Sequence, residues 1–193
     1  MWISALQEVS MFKNLLEKIA RSLDKADIPY MVIGGQALLL HGEPRLTRDI
    51  DITLGISTDQ LKQLLSVVEK IRLKPLVDPW DFTVKTMVLP CQDPGVDIRV
   101  DFIFSFTPYE AQAIQHAHRV SIGRSRVRFA SPEDLIIHKI FAGRPRDLED
   151  VKSVLLKTRD LDKKYIRSWL KEFSKSLNKP LVQSFNAIVK EAD

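Results

Sequence analysis

A chain of 193 residues, 45% apolar and 28% charged, has the makeup of an ordinary globular protein of one domain with room for a helical extension. No apolar run approaches the length of a membrane span, and the first helix lacks the basic-then-apolar layout of a secretion signal. The net charge of +4 is unevenly spread: residues 1–118 hold 12 basic and 15 acidic side chains and residues 119–193 hold 17 and 10, so that the first part suits cations and the second a polyanion.

Leu6, Val9, Phe12, Leu15, Leu16, Ile19 and Leu23 recur at helical spacing and predict an amphipathic N-terminal helix. Asp27, Ile28 and Pro29 break it. Tyr30–Ile33 reads as a short apolar strand, after which Gly34 and Gly35 open a brief helix. A glycine pair lets the backbone approach a ligand closely, and the free amides of a first helical turn point at anions. The same pair also serves as a plain strand-to-helix turn. Glu43-Pro44 turns the chain back through Arg45, Thr47 and Arg48, whose arginines suit either phosphate oxygens or the carboxylates beside them.

Residues 49–54 read Asp-Ile-Asp-Ile-Thr-Leu, a second strand. Strand side chains alternate faces, so Asp49 and Asp51 leave one face together while Ile50 and Ile52 enter the core. Two adjacent carboxylates repel, and a divalent cation held between them relieves the repulsion. Ser57 or Thr58 then caps a helix with Leu61, Leu64, Leu65, Val68 and Ile71 inward. Leu73–Val77 reads as extended, Pro79-Trp80 as a loop, Phe82–Leu89 as a strand, and Pro90 to Gly95 as a turn. Cys91, the single cysteine, excludes an internal disulfide, fits a reducing cytoplasm and reads as a packed residue rather than a nucleophile.

Val96–Phe104 predicts a third key strand, with Val96, Ile98, Val100, Phe102 and Phe104 on one side and Asp97, Arg99, Asp101 and Ile103 on the other. Asp97 and Asp101 both qualify as a third carboxylate, Asp97 alternatively pairing with Arg99 or water. A short helix over residues 108–118 keeps His116 and His118 on different faces, which excludes them as a metal pair. Val120–Ile122 and Val127–Phe129 form a hairpin whose Arg124, Arg126 and Arg128 give a basic face, fit for phosphate contact or for guarding a solvated edge. Ser131-Pro132 starts a helix with an acid three residues after the cap and Leu135, Ile136, Ile140 and Phe141 inward. Lys139 projects from the rim of that stripe, toward water or an anion. Beyond Gly143, Asp147 and Asp150 share one helix face. Tyr165 to Phe173 and Leu181 to Val189 build two further amphipathic helices.

Two blocks carry a resemblance. Gly34-Gly35, the short helix and Arg45-Leu46-Thr47-Arg48-Asp49-Ile50-Asp51 form the first; Ser131 to Val151, with Lys139 and Asp147, forms the second. Together they resemble nucleotidyltransferases of the polymerase beta-like superfamily, in particular the small abortive-infection toxins of the AbiEii type, over roughly residues 28 to 157. The resemblance implies an α+β fold: a minimal nucleotidyltransferase core, a mixed β-sheet flanked by helices, spanning residues 1–157 with the N-terminal helix, then a helical C-terminal extension over 158–193. It implies transfer of an NMP from an NTP to a hydroxyl, with two Mg²⁺ ions on Asp49, Asp51 and the third acid, Asp101 in the family's pattern. Lys139 joins the catalytic group, and Gly34, Gly35, Arg48 and Asp147 serve the nucleotide. The acceptor stays open between a tRNA end, a protein hydroxyl and a small molecule such as an aminoglycoside. A cytoplasmic location and an antitoxin partner go with the toxin type. The Gly-Gly-Gln here departs from the Gly-Ser of many relatives, which keeps open a silent nucleotide- or RNA-binding member.

Overall fold

The computed structural model describes residues 2–43 and 49–192, with side chains from Val9 onward. Expectations for Arg45, Thr47 and Arg48 therefore lie outside the described residues. Chain contacts divide the protein into two units, Met1–Ile33 with Thr47–Phe129, and Gly34–Leu46 with Ala130–Asp193. No helix among the described residues is long and apolar enough to cross a membrane.

The first unit holds α1 (Trp2–Lys25), β1 (Tyr30–Ile33), β2 (Asp49–Leu54), α3 (Leu61–Lys70), β3 (Lys74–Pro75), α4 (Pro79–Thr86), β4 (Val88–Asp93), β5 (Ile98–Phe104), α5 (Pro108–His116), β6 (His118–Ile122) and β7 (Ser125–Phe129). All seven strands join one mixed sheet in the order β3-β4-β5-β2-β1-β7-β6. The pairs β2·β5 and β1·β7 run parallel and the others antiparallel. Alternation does what the sequence predicts at the centre: Ile50, Ile52, Val100 and Phe102 are fully buried, with Asp49, Arg99 and Asp101 turned the other way. Helix α1 packs on β6 and β7 through its buried Leu15, Leu16, Ile19 and Leu23, whereas Val9 faces water.

Three local expectations are corrected. Residues 79–86 are helical rather than loop and strand. The Asp78 side chain accepts from the Asp81 amide at 2.8 Å and Pro79 takes the first helical position, so a strong start signal overrides the β-type composition of the residues that follow. Pro90, Cys91 and Asp93 belong to β4 instead of a turn; the turn comes later, where the Asp93 carboxylate accepts from the Gly95 amide. The third key strand begins at Ile98, because Asp97 sits at φ 55° in that turn. The arginine hairpin is present, but β7 lies inside the sheet and β6 forms its edge.

The second unit comprises α2 (Gly34–His41), α6 (Pro132–Ala142), α7 (Pro145–Lys157), α8 (Lys163–Leu177) and α9 (Leu181–Ala192). Ser131 caps α6 by accepting from the Asp134 amide while its hydroxyl donates to the Asp134 carboxylate, and Gly143 ends the helix at φ +65°. Four helices surround α6, so Leu135, Ile136, Ile137 and Ile140 are all buried and the helix has no single apolar stripe. Phe141, expected inward, is 45% exposed and meets Phe173 edge-on.

Candidate active site

Parallel pairing of β2 with β5 sets Asp51 opposite Asp101 and Asp49 opposite Arg99. Paired residues of neighbouring strands share a face and lie about 4.8 Å apart, so four charged side chains form one patch on a single face. Asp49 is exposed and Asp51 and Asp101 are half-buried. The strand interiors behind them fix their direction, since Ile50, Ile52, Val100 and Phe102 occupy the alternate positions.

Arg99 donates from Nε to Asp101 Oδ1 at 2.8 Å. Its guanidinium is held above the usual arginine range, first by this hydrogen bond, which burial opposes, and further by the charges of Asp101, Asp49 and Asp51. Asp97, the rival third acid, takes a different partner, the Gln92 amide, in the turn ahead of β5. Cys91 is wholly buried on β4; burial, and then the charge of Asp101, push its thiol up to about 12, which leaves no nucleophile.

The donor set suits a hard divalent ion, which prefers carboxylate oxygen. In the conformation seen, no three His, Cys, Asp or Glu side chains among the described residues are drawn together into a metal cluster. The register places the three carboxylates on one face, and Arg99 occupies one oxygen of Asp101.

The remaining sequence candidates among the described residues belong to the second unit. Gly34 follows Ile33, the β1 residue paired with Asp51, and opens α2 at φ +63°, a conformation that favours glycine. Gly35 is buried. Lys139 is not turned to water: Nζ donates to Asp147 Oδ1 at 2.8 Å and Asp150 Oδ2 at 2.7 Å, and Arg144 donates to the other oxygen of Asp147 at 2.7 Å. Lys139, Asp147 and Asp150 are 7%, 4% and 7% exposed. Burial pushes the Asp147 carboxyl up, but hydrogen bonds from Lys139 and Arg144 outweigh it and hold the group below its ordinary value. The anion that meets Lys139 is thus its own chain. Arg99 is the residue of the acidic face that the sequence offered only as a partner for Asp97; it pairs with Asp101 instead, and the strand register sets it across from Asp49.

A concavity of about 340 Å³ in the first unit is lined by Arg21, Asp24, Lys25, Arg119, Ser125, Arg126 and Arg128, between α1 and the β6–β7 hairpin. Arg119 pairs directly with Arg128 across the hairpin, an unfavourable like-charge pair that Asp24 eases by accepting from Arg128 at 2.6 Å. Arg128 also lies over the Tyr30 ring at 5.1 Å.

The model of a family described as nucleotidyltransferase of unknown function (DUF6036) matches residues 7–190. The chain belongs to this nucleotidyltransferase family. Solved structures similar to the nucleotidyltransferase include the antibiotic-resistance factor ANT(2'')-Ia in solution, 17% identical, with 87% of this chain and 95% of that one covered and a TM-score of 0.61. A crystal structure of ANT(2'')-Ia in complex with adenylyl-2''-tobramycin is 20% identical, with 95% and 99% covered and a TM-score of 0.51. An antigenic nucleotidyltransferase-like protein from Paracoccidioides brasiliensis is 20% identical, with 91% and 92% covered and a TM-score of 0.54. At these identities the likeness is one of fold. No curated protein matches the chain significantly.

Proposed function

We propose that the nucleotidyltransferase moves an NMP from an NTP to a hydroxyl acceptor, with Asp49, Asp51 and Asp101 as the acidic centre. The observation that carries this reading is the parallel register that sets Asp51 beside Asp101 with Asp49 on the same face. The three carboxylates would hold Mg²⁺, two ions by the sequence resemblance, and the metal would neutralise the triphosphate and make the acceptor hydroxyl more acidic. Asp101 accepts the acceptor's proton. The acceptor oxygen bonds to the α-phosphorus as the bond to the β-phosphate oxygen breaks, and pyrophosphate leaves with its electron pair. The amides of Gly34 and Gly35 and the guanidinium of Arg48 are assigned to the phosphates from the sequence pattern. Lys139 and Asp147 are assigned to the same reaction on the second sequence block; their mutual ion pair supports a role in positioning, and a phosphate contact by Lys139 would use the third N–H of its ammonium, beside the two that Asp147 and Asp150 accept.

The arginine-lined concavity favours an anionic acceptor such as RNA over a polycationic aminoglycoside, which the same arginines would repel. The toxin type and its antitoxin partner rest on the two sequence blocks alone. The test is Asp51→Asn, incubated with each labelled NTP, Mg²⁺ and total RNA and resolved on a gel. Loss of label transfer with an unchanged circular dichroism spectrum is expected. Undiminished transfer by the variant refutes the acidic centre, and nucleotide binding without transfer by the natural protein establishes the silent alternative.

A further inference from the structure

The scheme above leaves Arg99 idle, although it stands among the acids that scheme depends on. It shares a face with Asp101 two residues along β5, about 7 Å of strand, and lies directly across from Asp49 on β2. Its Nε holds one oxygen of Asp101 at 2.8 Å, and the other two acids act on it through space. The pair is open to water on its arginine side, with Arg99 50% and Asp101 19% exposed. Exposed pairs of this kind add little to stability and part readily. A bond that contributes little to the fold, yet holds one of the carboxylate oxygens for which a cation would compete, has a different use.

We propose that Arg99 works at two stations: in the metal-free protein it is the built-in counter-ion of the acidic face, and when metal and nucleotide arrive it leaves Asp101 for the triphosphate. Two forces drive the exchange. A divalent ion on the carboxylates repels the guanidinium, and the triphosphate attracts it with several negative oxygens in place of one. The planar fork of an arginine fits two phosphate oxygens at once, which a lysine cannot do. Arg99 thereby becomes a nucleotide-binding residue that also sets how strongly the empty site holds metal. The inference rests on the nucleotidyl-transfer reading.

The two stations give opposite signs in one variant. Mn²⁺ binding is measured by electron paramagnetic resonance without nucleotide, and the affinity for a non-hydrolysable NTP is measured with Mn²⁺ present, for the natural protein, Arg99→Gln, Arg99→Lys and Asp101→Asn. Without nucleotide, Arg99→Gln is expected to bind Mn²⁺ about two- to fivefold more tightly, the worth of one exposed ion pair. With Mn²⁺ present it is expected to bind the NTP about tenfold more weakly, the worth of a charged hydrogen-bond pair. Arg99→Lys should restore the metal affinity and only part of the nucleotide affinity. A merely structural pair would leave both affinities unchanged or shift them the same way, and either result overturns the proposal. The parent reading fails separately: if Mn²⁺ binding by the natural protein is absent or is indifferent to Asp101→Asn, the acidic centre itself is wrong.

Discussion

Replacing Lys139 by methionine separates a building role for this residue from a catalytic one. The substitution keeps an unbranched stem of similar size and removes the ammonium. In the second unit that ammonium sits between two carboxylates at 2.8 and 2.7 Å, with all three side chains less than a tenth exposed. The cluster is neutral as built, because Arg144 supplies the second positive charge to Asp147. Arg144 is 77% exposed on its side chain, so water screens most of what it can offer. Deleting Lys139 therefore takes from two buried carboxylates the cation they share, a loss that costs about 3–5 kcal/mol. With a urea slope of about 2 kcal/mol/M, the unfolding midpoint should fall by roughly 1.5–2.5 M. Neutralising the acids as well, in Lys139→Met with Asp147→Asn and Asp150→Asn, should recover more than half of that loss, since no buried charge is then left uncompensated. Urea titrations followed by circular dichroism measure both. A midpoint within about 0.5 M of the natural protein for Lys139→Met alone would refute the electrostatic account of this cluster. NMP transfer by the stabilised triple variant then decides the rest: retained activity makes Lys139 a builder, and lost activity in a folded protein gives it or Asp147 a direct part.

Acid should weaken the same cluster. The Asp147 carboxyl is held below its ordinary value, so its contribution is present above the unfolded value of about 3.9 and is lost as pH falls through the folded one. Urea midpoints measured from pH 6 downward should therefore decline more steeply below about pH 4 in the natural protein than in Asp147→Asn. For the acceptor, reversing Arg119 and Arg126 to glutamate should weaken the binding of a labelled RNA oligomer at least tenfold in fluorescence anisotropy. The slope of log affinity against log salt should shrink by about 1.4, two single-strand phosphate contacts' worth. An unchanged slope would remove this concavity from the acceptor's path.

The shared face of the carboxylates could be read from residue spacing because it depends on a local rule. Alternation in Asp-Ile-Asp-Ile and in Ile-Arg-Val-Asp-Phe fixes which side chains share a face, and buried Ile50, Ile52, Val100 and Phe102 follow from it. What spacing cannot give is the offset between two strands nearly fifty residues apart, and the partner of Arg99 hangs on that offset. The fate of Lys139 was hidden for a related reason: its partners lie eight and eleven residues on, beyond the bend at Gly143, where helical periodicity says nothing. At α4 the failure was one of weighting. Phe82 to Leu89 suggested a strand, but the residues up to Thr86 belong to a helix that Asp78 and Pro79 begin and Met87 ends in the left-handed region, and only Val88 and Leu89 enter β4. Phe141 misled because α6 is enclosed by four helices, so its apolar residues do not all mark one inward side.

The two clusters of acids also show why charge alone is a poor guide to a site. Both set carboxylates against a cation at hydrogen-bond distance, and both stand out in the sequence as acids near a base. In the Lys139 cluster the partners are sealed, so that any exchange of partner must first expose buried charge, a barrier of several kcal/mol. In the Arg99–Asp101 pair the guanidinium is half in water, and exchange costs about the worth of a surface ion pair, 0.2–1 kcal/mol. A metal ion or a triphosphate can compete with the second kind of pair and not readily with the first. Access to solvent, more than the number of carboxylates, therefore decides how readily an incoming ion or phosphate can compete for each cluster, at the face of β2 and β5 or at the bond between α6 and α7.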